Sequence, residues 1–149
     1  MFKKLKPWFV IFILIAVLAM GADLRESADG LVSVTSITSL ASETQTTLYT
    51  VPSGKTLILT FAKLRVAGDV GASGAVTIGQ NGAVTDFVST TNLDNADASG
   101  DVVLIAPIPS ATPATNKEYT AGEVIEIDVS AAGNAVAGTL YLFGILDDA

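Results

Sequence analysis

The sequence predicts an all-β, antiparallel sandwich of about eight short strands, preceded by an N-terminal hydrophobic helix. Apolar residues alternate with period two from residue 31 onward. Clusters of Gly, Asn, Asp and Pro punctuate that alternation at roughly 8–12-residue spacing, as sandwiches and barrels require. No window beyond residue 22 repeats apolar residues at the helical period over helical length.

The first element is a leader. Residues 1–22 open with the basic run MFKKLK and continue with 16 uncharged residues, PWFVIFILIAVLAMGA, before Asp23, Arg25 and Glu26. Ala19 and Gly21 fall at the −3 and −1 positions of a cleavage after Gly21, the pattern of a secretory signal peptide. The run is slightly short of the roughly 17–25 residues a spanning helix needs. An uncleaved anchor with its basic end in the cytoplasm is the alternative, and both readings export the rest of the chain. Residues 1–22 are therefore a signal peptide or membrane anchor, 23–30 a linker, and 31–149 the β domain.

The strands follow in order. Residues 31–40 (LVSVTSITSL) alternate apolar positions with Ser and Thr, and residues 46–51 (TTLYTV) end at Pro52-Ser53-Gly54-Lys55. Proline presets φ there and Gly54 supplies a positive one, so the chain turns. Residues 56–67 (TLILTFAKLRVA) begin with Leu57, Leu59 and Phe61 in alternation but end with Leu64 and Val66, so this strand is expected to bend or to change its buried face midway. Residues 67–83 are dominated by Gly and Ala and read as a flexible hairpin tip around a short strand at 75–78. Further strands are expected at 83–89, 101–106, 123–129 and 138–146. The last two read as an antiparallel hairpin, with Glu123, Glu126 and Asp128 on a solvated side and the apolar 140–146 run as an edge open to pairing. Jelly-roll and immunoglobulin-like topologies both fit; strand order decides between them.

Composition removes most chemistry. The chain has no Cys and no His, so disulfides, thiolate catalysis and the usual triads cannot be written. Beyond residue 22 five basic residues face 15 acidic ones, a formal charge of −10, which argues against nucleic-acid binding. Lys55, Lys63 and Lys117 have no Ser-x-x-Lys pattern beside them, and Gly54-Lys55-Thr56 lacks the first glycine and the helix of a phosphate-binding loop. No enzymatic activity and no cofactor are expected. The one candidate ligand is Ca²⁺, held by Asp94, Asp97 and Asp101 in the loop NLDNADASGD. Asn95, Asp97, Ser99 and Gly100 mimic the start of an EF-hand loop, but its twelfth position would be Ala106.

Two stretches carry a family likeness. TLYTVPSGKT (47–56), followed by a hydrophobic strand, and EYTAGEVIEIDVS…GTLYLFGIL (118–146) resemble segments of small jelly-roll-like β-sandwich proteins of bacteriophage virions. The resemblance implies a non-enzymatic capsid, spike or appendage component that self-assembles or binds a host surface. The leader departs from that pattern and would suit a membrane-containing virus or a cell-surface protein. The expected function is an extracytoplasmic structural protein, a homo-oligomer in a surface layer, filament or virion, touching a membrane only through residues 1–22. The alternative is a secreted module for carbohydrate or another surface polymer, with Tyr119 as the aromatic expected to be exposed.

Overall fold

The computed structural model describes residues 30–41, 45–107, 117–130 and 133–149. The leader, and with it the expected N-terminal helix, lies outside them. The described residues form nine strands and no helix: β1 (Gly30–Ile37), β2 (Thr46–Thr50), β3 (Lys55–Val66), β4 (Ala75–Gln80), β5 (Ala83–Asn92), β6 (Val102–Ile105), β7 (Glu118–Tyr119), β8 (Val124–Ser130) and β9 (Gly138–Asp148).

Local chemistry sets these boundaries. Between β2 and β3, Gly54 takes φ +74° and the Lys55 N–H donates to the Pro52 carbonyl at 3.2 Å, closing the expected turn. Within β3 the buried positions run Leu57, Leu59 and then Ala62, Leu64, Val66. The cause is a bulge: pairing with β9 slips between Leu59 and Phe61, and one extra residue moves every later side chain to the opposite face. Within residues 67–83 the expected short strand is β4, whose Val76 and Ile78 are buried in the core, and Asn81-Gly82 makes the hairpin turn into β5.

The pairing is nested. β4 pairs β5, β3 pairs β6, β2 pairs β8 and β1 pairs β9, all antiparallel, so the first half of the chain folds back along the second. That long double ribbon is distributed over two sheets, β1-β9-β3-β6, with β7 added beside β3, and β2-β8-β4-β5. This is jelly-roll order; an immunoglobulin-type domain pairs its first two strands in one sheet, whereas β1 and β2 lie in different ones. Two expectations fall with it. β8 and β9 are not a hairpin, and β9 is no edge, because it is hydrogen-bonded to β1 on one side and β3 on the other. Both sheets feed one hydrophobic cluster, in which Leu57, Leu59, Leu64, Leu140 and Leu142 meet Ile78, Ile125 and Ile127.

Candidate functional site

The outer face of the five-stranded sheet is built by the same alternation that fills the core. With Leu64, Val66, Leu140 and Leu142 turned inward, their neighbours Lys63, Arg65, Tyr141 and Phe143 point out. Partners across an antiparallel ladder share a face. The register therefore lays out rows: Leu31, Phe143 and Phe61; then Val34, Tyr141, Lys63 and Leu104; then Thr139, Arg65 and Val102.

This surface is unusually apolar. The exposed large hydrophobic residues among those described are Leu31 (54%), Val34 (53%), Val102 (57%) and Leu104 (61%), and all four lie on it. Between them the rings of Phe61 and Phe143 stack with centroids 4.5 Å apart. The Lys63 ammonium sits 5.7 and 5.8 Å from the two ring centroids, within cation–π range. Among the described residues Lys63 and Arg65 form no ion pair, whereas Lys55 pairs with Asp148 at 2.7 Å and Lys117 with Asp86 at 2.5 Å. At the Gly138 end, Arg65 borders a cleft of about 390 Å³ whose lining includes Ser36, Thr38, Ser99 and Thr139 beside Ile37 and Val66.

No family model matches this chain, and no curated protein matches it. Solved structures do. The chain is similar to one from the acid-stable capsid of Helicobacter pylori bacteriophage KHP30, with 20% identity over 80% of this chain and 88% of that one at a TM-score of 0.52. A chain of the cyanophage Pam1 capsid asymmetric unit matches at 15% identity over 75% of this chain and 79% of that one, with a TM-score of 0.50. In fold, the chain resembles bacteriophage virion structural proteins. At these identities the likeness is one of architecture.

The three aspartates singled out from the sequence, Asp94, Asp97 and Asp101, lie in the connection between β5 and β6. Asp94 closes a local turn, its N–H donating to Asn92 Oδ1 and its carboxylate accepting from Asn92 Nδ2, each at 2.7 Å. Asp101 accepts the Ala98 N–H at 2.9 Å, and Asp97 is exposed. No group of three acidic residues placed to hold a metal occurs among the described residues.

A polar cluster missed in the sequence joins the sheets at one end. Asp86 on β5 accepts from the Gln80 N–H and the Tyr119 hydroxyl, both at 2.9 Å, and Lys117 Nζ bonds Asp86 and Gln80. Tyr119, expected at the surface, is fully buried on β7, with the Lys117 ammonium 4.9 Å from its ring centroid. Burial, then the hydrogen bond and negative charge of Asp86, hold its phenol protonated well above the ordinary tyrosine range. Glu126 is also not solvated: it is 6% exposed, and Oε1 accepts from Asn81 Nδ2 at 2.9 Å. Phe61 and Phe143, which alternate as core residues do, are instead the centre of the outer face. The signal for that was present, since Phe61, Lys63 and Arg65 share one parity.

Proposed function

We propose that this chain is a non-catalytic structural subunit that assembles into a repeated layer outside the cytoplasm, as a component of a virion. The observation that carries this is the gathering of every exposed large hydrophobic residue among those described onto one sheet face. A contiguous apolar face of this kind marks an interaction surface, because a free monomer gains nothing by exposing it. The jelly-roll order and the likeness to capsid chains support the same reading at the level of fold. Export is proposed from residues 1–22, whose basic end and apolar run would leave the β domain on the far side of the membrane.

Sedimentation of the full-length protein across a concentration series tests assembly. Growth to species larger than a dimer is expected; a monomer at every concentration, with and without calcium, removes the proposal. A ligand-binding module is the second reading, favoured by the cleft beside Arg65 with Ser36, Thr38, Ser99 and Thr139 in its lining. Glycan-array binding lost on Arg65→Ala would support it, and an array without hits would dispose of it. The calcium site of Asp94, Asp97 and Asp101 is a separate proposal, supported by the oxygen-rich loop alone.

A further inference from the structure

We infer that the outer face of the five-stranded sheet pairs with the same face of a second copy, across a two-fold axis that runs along the row of Leu31, Phe143 and Phe61. This rests on the assembly reading above and names its building unit. Charge placement on that one sheet carries it. Its strands contain three basic residues, Lys55, Lys63 and Arg65, and three carboxylates, Glu118, Asp147 and Asp148. Lys55 and Asp148 pair with each other at 2.7 Å. Lys63, Arg65, Glu118 and Asp147 are left without an ion-pair partner among the described residues.

Register puts the two signs at opposite ends of the face. Lys63 shares a row with Tyr141, and Arg65 shares one with Thr139, toward Gly138. Glu118 lies beside Ile58, and Asp147 beside Thr56, toward Asp148. Leu57, Leu59 and Tyr119 are turned into the core, so Thr56, Ile58 and Glu118 take the outer side, and Glu118 and Asp147 are both exposed. Between the two ends stand the stacked rings of Phe61 and Phe143. About five to nine residues at ~3.3 Å separate the unlike charges, roughly 15–25 Å, against a screening length of about 8 Å at physiological salt. They do not neutralise each other within one copy.

A two-fold axis lying between two such faces, and across the strands, reverses strand direction while it keeps each strand over its own copy. Lys63 of one copy then comes over the row of Ile58 and Glu118 of the other, and Arg65 over the row of Thr56 and Asp147, twice by symmetry. The aromatic row meets itself on the axis, with Leu31 at its edge. An axis along the strands would instead set Lys63 and Arg65 over their own copies, which is repulsive. Four strands about 4.8 Å apart and about nine residues at ~3.3 Å give a footprint on the order of 600 Å². That is short of the roughly 800 Å² per partner of a standard interface, so the dimer depends on concentration.

Sedimentation of full-length variants tests this. Lys63→Glu with Arg65→Glu makes both ends of the face negative, and Glu118→Lys with Asp147→Lys makes both positive. Each pair is expected to raise the dimer dissociation constant about tenfold or more. An equimolar mixture of the two is expected to dimerise again, because every end then meets its opposite. Circular dichroism checks each fold. Leu31→Cys is an independent probe, since the chain has no cysteine of its own and this row lies on the axis. A short bifunctional thiol reagent is expected to link two copies through Leu31→Cys and not through Val102→Cys at the cationic end.

The inference is overturned if wild type associates and either reversal leaves the constant unmoved, or if the mixture stays monomeric. It also falls if the smallest associated species is a trimer, or if Leu31→Cys does not link. In each of these cases assembly through other contacts leaves the function reading standing. A monomer whose preference for phosphatidylglycerol over phosphatidylcholine vesicles is lost on the Lys63/Arg65 reversal assigns the face to a membrane and overturns the inference too. A wild type that never associates removes the function reading itself.

Discussion

Replacing Asp86 by alanine is expected to loosen one end of the domain. Among the described residues its carboxylate is the one acceptor of the Tyr119 hydroxyl, a residue fully buried on the five-stranded sheet, while Gln80 and Asp86 belong to the four-stranded one. Removing the acceptor orphans that hydroxyl, at a cost of about 1–3 kcal/mol. The Gln80 N–H loses its bond to Asp86 as well, adding about 1 kcal/mol. The ion pair with Lys117, whose side chain is 36% exposed, adds about 1 kcal/mol or less after solvent screening. The sum is about 2–5 kcal/mol, or roughly 8–20 °C in the thermal midpoint of a domain this size. Asp86→Asn keeps the Oδ1 acceptor but turns an amide toward the ammonium, so about 1–2 kcal/mol is expected. Urea and thermal denaturation of the full-length variants read both values. An alanine variant within about 1 kcal/mol of wild type would refute the assignment of the cluster as a tie between sheets.

Tyr119 gives the pH dependence its sign. Its folded-state pKa is raised, so above about pH 10 the unfolded chain loses a proton that the native state keeps. Stability is intact below that pH and falls as pH rises beyond it; Tyr119→Phe is expected to remove part of that alkaline slope in thermal scans. A Cβ at Gly144 would lie 2.6 Å from the Ile58 carbonyl on the adjacent strand β3, so Gly144→Ala is expected to destabilise by about 2 kcal/mol or more, read by urea denaturation. Millimolar calcium should raise the thermal midpoint if Asp94, Asp97 and Asp101 bind the ion, and an unmoved midpoint removes that site.

Much of the fold was legible because it is written locally. Alternation located the strands, Pro52 to Gly54 marked the turn, and the shift from Leu59 to Leu64 announced the β3 bulge. Partnership was not legible. A strand's alternation reports that one face is buried, not which strand lies beside it, so β8 and β9 read as a hairpin although nested pairing sends them to different sheets. For the same reason β9 read as an edge. Only the two-residue β7 went unread, being too short to show a period. The site was half legible: the parity of Phe61, Lys63 and Arg65 points outward once the bulge is placed, but Tyr141 and Leu104 join them only through register. The Asp86 cluster depends on Lys117 and Tyr119, 31 and 33 residues along the chain from Asp86, and no local pattern announces it.

Negative-stain microscopy of native material tests the assembly claim most directly. Particles, filaments or sheets with a regular repeat are the expected result. Isolated particles of single-domain size, at concentrations where the full-length protein is abundant, would contradict it.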